Sequence, residues 1–108
     1  MDAVPAQYDG VSVTVKANVY FDGKVVSHTV TFKDGVKKTL GLIYPGTYTF
    51  NTGAPERMDM TAGSCRYKLA GQADWSRCDA PGHFDVPGNS SFDITVEGGV
   101  TEYVCSFG

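Results

Sequence analysis

Apolar and polar residues alternate with a period of two along most of the chain, the pattern of strands that bury one face. In VSVTVKANVYF, residues 11–21, apolar side chains occupy alternate positions and mostly polar ones lie between them. We therefore predict one half-buried strand over these residues. The dipeptide Asp22-Gly23 follows and predicts a hairpin turn.

The return segment, VVSHTVTF, continues the same alternation. It places His28 on one face with the apolar side chains of Val26, Val30 and Phe32, so we expect His28 to be a core residue. The segment KDGVKK then repeats the turn chemistry of the first hairpin. His83 lies beside a glycine turn, and we expect it to be exposed.

Further short strands are predicted in TLGLIY, TYTFNT, ERMDMT, SCRYKL, HFDV, SFDITV and EYVCSF, each bounded by glycine or proline. No segment offers ten or more residues of helical apolar spacing. The sequence therefore predicts an all-β protein, either an antiparallel sandwich or a closed barrel.

Composition narrows the class of protein. A chain of 108 residues with 42% hydrophobic and 19% charged residues indicates one globular domain. The net charge of −3 and the lack of a basic patch argue against nucleic acid or an anionic membrane as a partner. The opening MDAVPAQYDG does not have the pattern of a signal peptide. Cys65, Cys78 and Cys105 are expected to be buried, reduced thiols of a cytoplasmic protein.

Two stretches resemble the two signatures of the cupin barrels. In GTYTFNTGAPERMDMTAG, the resemblance places Phe50 and Thr52 at the two histidine positions and retains Glu56 and Gly63. In FDVPGNSSF, Phe92 stands where the third histidine belongs. Three of four metal ligands are thus replaced, and a single carboxylate holds a transition metal poorly. We therefore expect no metal site.

With the dipeptide Asp74-Trp75 and the final YVC, this string closely resembles the small cupin-fold pyrimidine/purine nucleoside phosphorylases over residues 39–107. The resemblance implies a single cupin-type antiparallel β-barrel, also called a double-stranded β-helix or jelly roll. One domain would span residues 1–108. Residues 1–38 would form N-terminal strands and an extended hairpin, longer than in the usual member, and 39–107 the core with both signatures.

The same resemblance implies a homodimeric enzyme without a metal or other cofactor. Inorganic phosphate would be the co-substrate: nucleoside and phosphate would give free base and ribose 1-phosphate. Such a pentosyltransferase, a glycosyltransferase of nucleoside salvage, would accept both pyrimidine and purine nucleosides. Two alternatives remain open. A non-catalytic cupin could bind a nucleoside, sugar or small acid, and the N-terminal hairpin could serve a protein partner.

Aromatic candidates come from cupin geometry, which points Tyr48, Phe50 and Thr52 inward from one signature and Phe92 from the other. They could form a stacking wall for a nucleobase of any kind, because every base has a π-face. The competing interpretation is core packing, since small barrels fill their interiors with side chains.

Glu56 would face inward among apolar side chains, at a cost of several kcal/mol unless it is paired. It could instead be exposed or pair with Arg57, Arg66 or Lys68. Our hypothesis is that it accepts hydrogen bonds from ribose hydroxyls and so orients the sugar for attack at C1′.

Donors for phosphate are expected in the PGNSS turn and at Thr52. Arg57 could add charge, although alternation points it away from Glu56. The competing interpretations are that the PGNSS residues only form a turn and that Arg57 is a solvated surface charge. We expect catalytic roles for Glu56, Thr52 and Ser91. Substrate contacts are expected from Tyr48, Phe50, Phe92, Asn89, Ser90 and Arg57.

Overall fold

Antiparallel strands build this fold, as predicted from the period of two. The computed structural model describes residues 4–108. Within them the strands are β1 (Ser12–Val13), β2 (Asn18–Tyr20), β3 (Val25–Thr31), β4 (Lys37–Ile43), β5 (Gly46–Asn51), β6 (Glu56–Ala62), β7 (Ser64–Leu69), β8 (Ser76–Asp79), β9 (Gly82–Val86), β10 (Ser91–Val96) and β11 (Thr101–Phe107). The helical part of the same residues is one 3-10 turn, Phe21–Gly23. No helix there is long and apolar enough to cross a membrane.

The strands form two sheets. The large sheet has seven strands in the order β1-β3-β4-β11-β6-β9, with β2 also paired to β3, and the small sheet has the order β5-β10-β7-β8. Side chains of both sheets meet in one hydrophobic core, including Val25 and Ile43 from the large sheet and Phe92 and Ile94 from the small sheet. We call the sheet faces that meet there the inward faces.

Hydrogen bonds do not join the two sheets of residues 4–108 into one closed barrel, so the single barrel expected from the resemblance is not confirmed. The chain crosses between the sheets after β8 through Ala80 and Pro81, and Pro81 has no N–H to donate to a neighbouring strand. The expected boundary between residues 38 and 39 falls inside β4, whose seven residues pair continuously with β3.

The single strand predicted over residues 11–21 is wrong. The segment forms two short strands, β1 and β2, which both pair with β3. Between them, residues 14–17 lie opposite residues 28 and 29 only, so extra residues bulge out of the ladder. Val15 in this bulge is 89% exposed. An edge strand has a neighbouring strand on one side only, so an apolar residue in such a strand can stay exposed despite the alternating pattern.

The prediction that His28 is a core residue is also wrong. The inward face of β3 carries Val25 and Ser27, which are 0% and 2% exposed, and His28 points away from the core. It is exposed, with Nδ1 3.2 Å from the carbonyl oxygen of Thr14. The apolar side chains near it belong to the outer face of the large sheet, whereas His83 is exposed as predicted.

Both predicted turns are confirmed. Asp22 adopts a left-handed conformation with φ 56°, and the amide of Lys24 donates to the carbonyl of Phe21. In the second turn Gly35 has φ 89°, and the carboxylate of Asp34 accepts a hydrogen bond from the backbone N–H two residues later. These turns set the register of β3 against β2 and β4.

The three cysteines are buried free thiols, as predicted. Cys65 and Cys78 lie directly opposite each other on β7 and β8. Burial raises the pKa of the Cys65 thiol to about 12, and the neighbouring Cys78 adds to the shift. Burial also raises the pKa of Cys105. Thiols with raised pKa values are poor nucleophiles, so these cysteines pack as small apolar side chains.

Candidate functional site

A cavity of about 160 Å³ lies between the two sheets. Its wall combines aromatic, hydroxyl and carboxyl groups, contributed by Tyr20, Ser27, Thr39, Ile43, Phe50, Asn51, Glu56, Met58, Phe92, Tyr103, Cys105 and Phe107. Tyr20 and Phe107 are 44% and 47% exposed, so the wall reaches solvent at both residues. Tyr20 is level with Thr101, six residues along β11 from Phe107, and we call the opening beside Phe107 the mouth. None of the twelve described residues in this wall is a lysine, arginine or histidine.

Glu56 begins β6, and its side chain is partly buried in the cavity wall. The Sγ–H of Cys105 donates to Glu56 Oε1 across 3.5 Å. Burial raises the pKa of Glu56, and the hydrogen bond from Cys105 lowers it in part. The charged form is therefore the costly form, and a ligand with hydroxyl donors would stabilise it.

The pairings that were alternatives for Glu56 do not form among the described residues. Arg57 lies on the opposite face of β6, where its guanidinium is 3.2 Å from the carboxylate of Asp59. Arg66 is 3.6 Å from Glu97 on the small sheet. The prediction that Arg57 points away from Glu56 is confirmed, and the cavity carboxylate faces no cation in its wall.

Tyr103 is a cavity residue that sequence reasoning missed. Burial raises its pKa to about 12, partly opposed by an interaction with the Ser27 side chain, so the hydroxyl stays protonated as a hydrogen-bond donor. Gly41 makes room for the ring, since a Cβ there would lie 2.5 Å from the Tyr103 ring and 2.6 Å from its hydroxyl. Alternation along EYVCSF places Tyr103 and Cys105 on the same face of one strand. No local pattern in the sequence predicts that this strand lies beside β4.

The aromatic candidates divide into two groups. Phe50 and Phe92 line the cavity and stack on each other with centroids 5.7 Å apart. The ring of Tyr20 stands edge-on to Phe50 at 5.7 Å and extends the aromatic wall toward β2, away from Phe107. Tyr48 is 4% exposed and donates its hydroxyl to the carbonyl of Tyr44 at 2.7 Å, away from the cavity wall.

The predicted donors of the PGNSS turn make hydrogen bonds within the protein. The hydroxyl of Thr52 donates to the carbonyl of Pro87 at 2.7 Å and accepts from the amide of Ser90 at 3.0 Å. The amide of Asn89 donates to the carbonyl of Gly53 at 2.9 Å. None of these turn residues lines the cavity. Their roles in substrate contact stay predictions.

Ser91 lies at the start of β10, directly opposite Asn51, which does line the cavity. Its predicted catalytic role also stays a prediction. In the part of the chain that the structure describes, no group of three His, Cys, Asp or Glu side chains is placed to hold a metal ion. The donor set around Glu56, one thiol and several hydroxyls, is poor for a transition metal.

A second, larger depression of about 930 Å³ lies on the outer face of the large sheet. Its floor is apolar, with Leu40 and Leu42 each 37% exposed. Arg57 and Asp59 line it, and the N-terminal segment 4–8 forms one border. We call this depression the outer groove. It carries charges of both signs, unlike the cavity between the sheets.

Solved structures share this arrangement of two facing sheets. A cupin superfamily protein from Desulfitobacterium hafniense superposes with a TM-score of 0.63 at 12% identity, over 86% of this chain and 83% of that one. The cupin domain of Cnp3 from Schizosaccharomyces pombe gives a TM-score of 0.61 at 12% identity, over 88% and 70%. The molecule is therefore an all-β protein of cupin-like fold, with a carboxylate in an aromatic cavity.

The sequence specifies the family. Residues 15–107 match the sequence model of the family described as Pyrimidine/purine nucleoside phosphorylase, and the chain belongs to this family. A protein of that name from Cupriavidus metallidurans is 61% identical over 103 residues, 95% of this chain and 99% of its own. Another from Thiobacillus denitrificans is 57% identical over 103 residues, again covering 95% and 99%. A crystal structure from Acinetobacter sp. ADP1 has a TM-score of 0.93 at 47% identity, over 96% and 100%. The predicted resemblance is confirmed.

The raised pKa of Glu56 predicts a pH-dependent effect of its removal. Because the folded-state pKa lies above the usual 4.5, the group stabilises the fold fully below pH 4.5, and this contribution is lost as the pH rises through the raised pKa. We expect Glu56→Gln to be more stable than wild type near neutral pH, with a gain that vanishes below pH 4.5. Urea denaturation at a series of pH values measures this difference.

A matched control is Glu97→Gln, which removes an exposed carboxylate that lies outside both the cavity and the outer groove. This surface change should alter stability by no more than about 0.5 kcal/mol. A Glu56→Gln variant that gains nothing at neutral pH would show that the carboxylate is well solvated.

Proposed function

We propose that this protein is a metal-independent nucleoside phosphorylase that accepts pyrimidine and purine nucleosides. The observation that carries the proposal is the lone carboxylate Glu56 in a cavity whose other groups are uncharged: aromatic rings, hydroxyls, a thiol, an amide and apolar side chains. The names of the relatives, pyrimidine/purine nucleoside phosphorylase, support the same reaction. Such an enzyme is a pentosyltransferase, because it moves a ribosyl group from nitrogen to a phosphate oxygen.

Cavity size suggests how a nucleoside would lie. Pockets that enclose a whole drug-sized ligand measure about 300 Å³ or more, and this cavity holds about 160 Å³. We propose that the ribose enters the cavity beside Glu56 and that the base stays at the mouth against Phe107, which is partly exposed and directly opposite Glu56. Stacking on aromatic rings tolerates any base. The proposed breadth for pyrimidines and purines follows from that placement.

In the proposed reaction a phosphate oxygen forms a bond to C1′ while the C1′–N bond to the base breaks. The electron pair of the broken bond goes to the base, which takes up the proton carried by monohydrogen phosphate. Glu56 accepts hydrogen bonds from the ribose hydroxyls and holds C1′ toward the phosphate. Its negative charge also stabilises positive charge that develops on the sugar, as in glycoside hydrolysis.

Metal independence is part of the proposal. The positions of the cupin histidines hold Phe50, Thr52 and Phe92. The rings of Phe50 and Phe92 stack on each other within the cavity wall. Phosphorolysis needs positioning and charge stabilisation, and hydrogen-bond donors supply both. The cavity offers such donors in Ser27, Thr39 and Tyr103.

We also propose that the protein works in the cytoplasm. Its three cysteines are free thiols. Cys65 and Cys78 are nevertheless cross-strand partners, close enough for a disulfide bond to form between them. Thiols placed in this way are typical of a reducing compartment.

A homodimer is proposed through the outer groove. A two-fold interface requires a surface that is complementary to itself. The lining of the groove supports the proposal, since it offers the apolar Leu40 and Leu42 and charges of both signs, Arg57 with Asp59 and Glu102, to a second copy.

Light scattering at micromolar concentration should give twice the chain mass of 11.6 kDa. Replacing Leu40 by Glu should convert the dimer to a monomer, because the carboxylate would be buried in the interface. A wild-type protein of monomer mass would contradict the homodimer.

The function is tested by incubating the purified protein with uridine or adenosine, with and without inorganic phosphate, and measuring free base. We expect base release that depends on phosphate and continues after treatment with a chelator. Tight nucleoside binding without turnover would instead indicate a non-catalytic binding protein. Loss of activity on chelation, restored by one metal, would contradict metal independence.

Substitutions of Glu56 and Phe92 distinguish a residue with a role in activity from one with a role in stability. Glu56→Gln should lower the turnover rate about tenfold to a hundredfold, since a hydrogen bond to a charged group contributes roughly 1.5–3 kcal/mol. Phe92 is 3% exposed in the core, so Phe92→Ala should destabilise the fold by about 3–5 kcal/mol. Steady-state kinetics and urea denaturation of both variants check these effects, with Glu97→Gln as the charge-matched control.

Unchanged phosphorolysis by a folded Glu56→Gln variant would remove the carboxylate from the mechanism. The catalytic groups would then lie among the other predicted residues, Thr52, Ser91 and the hydroxyls of the cavity wall.

A further inference from the structure

The inward face of the large sheet carries few charges. On the strands within residues 4–108, its charged side chains are Glu56 on β6 and Lys37 on β4. Glu56 lies in the cavity wall. Lys37 is exposed at the first position of β4, beside the cavity mouth. A reaction that uses phosphate needs a cation or strong donors near the sugar, and the cavity wall itself supplies no cation.

Alternation along β4 establishes which way Lys37 points. Thr39, Gly41 and Ile43 follow it on the inward face, and Thr39 and Ile43 line the cavity. The next lysine, Lys38, lies on the other face, with Nζ 5.8 Å and 5.9 Å from the ring centroids of Tyr8 and Phe32. Two adjacent lysines therefore serve opposite faces of one sheet.

Hydroxyl groups surround Lys37 on the inward face. Thr31 of β3 lies directly opposite Lys37, and Ser12 of β1 lies directly opposite Thr31. Thr39 is two residues along β4, a spacing of about 7 Å between backbone positions. Cross-strand partners are about 5 Å apart at Cβ, so these side chains can contact one small ion together. Among residues 4–108, no carboxylate forms an ion pair with Lys37.

We propose that Lys37, Thr31 and Thr39 form the binding site for inorganic phosphate at the mouth of the cavity, a proposal that rests on the proposed phosphorylase function. Lysine is a point charge suited to phosphate, and threonine hydroxyls donate to its remaining oxygens. Thr39 belongs to both the phosphate site and the cavity wall, so it joins the ion to the sugar.

The separation of charges on the sheet favours this location. Strand β11 lies between β4 and β6, so Lys37 and Glu56 are two strand spacings apart, roughly 10 Å. Ser106 pairs with Lys38, which puts Phe107 level with Lys37, and Phe107 is directly opposite Glu56. The phosphate therefore lies beside the cation, with an aromatic ring between it and the carboxylate that would repel it.

The experiment compares Lys37→Ala with Lys38→Ala, a neighbouring variant with the same loss of charge on the opposite face. Two quantities are measured at constant ionic strength: the KM values for phosphate and for nucleoside, and the direct binding of inorganic phosphate by titration calorimetry. We expect Lys37→Ala to raise the KM for phosphate about tenfold and to leave the KM for nucleoside unchanged. Lys38→Ala should change neither, and Lys37→Arg should retain most of the phosphate affinity.

Direct binding keeps this test separate from the test of the proposed function. If the wild-type protein releases no base, the phosphorylase proposal fails, and titration with phosphate still decides on the site. Weaker phosphate binding by Lys37→Ala than by Lys38→Ala supports the site. Equal binding by the two variants, an effect on the KM for nucleoside alone, or no phosphate binding by the wild-type protein overturns it.

Discussion

The desolvation of one carboxylate organises the inside of this protein. Glu56 is partly buried in a cavity wall without a cation, and burial raises its pKa. A buried charge is costly unless hydrogen bonds satisfy it. The thiol of Cys105 supplies one such bond at the long distance of 3.5 Å. The remaining acceptor capacity of Glu56 suits a ligand rich in hydroxyl groups, and a ribose has that chemistry.

The fold places each part of the site through neighbouring strands. β11 lies between β4 and β6, so Tyr103 and Cys105 are held between Thr39 and the β6 side chains. Gly41 opens the space that the Tyr103 ring fills. The small sheet contributes the opposing aromatic wall, in which Phe92 of β10 stacks on Phe50 of the neighbouring strand β5. The cavity wall thus combines polar groups with aromatic rings, as a nucleoside combines a ribose with a base.

Local pattern was sufficient for some of these features and insufficient for others. The turns and most strands follow from residue chemistry and a period of two. The inward direction of Glu56 follows from the resemblance to the cupins. The pattern failed for residues 14–17, where an edge strand bulges, and for His28, because alternation alone cannot tell the inward from the outward face. Tyr103 was missed for a different reason: its place depends on pairing between strands some sixty residues apart in sequence.

The most direct test of the central claim is the crystal structure of the protein with bound uridine. We expect the ribose in the cavity between the sheets, with a hydroxyl within hydrogen-bond distance of the Glu56 carboxylate. The base should contact Phe107 at the mouth. A nucleoside bound in the outer groove, or one that leaves Glu56 without contact, would contradict the assignment of the cavity as the substrate site.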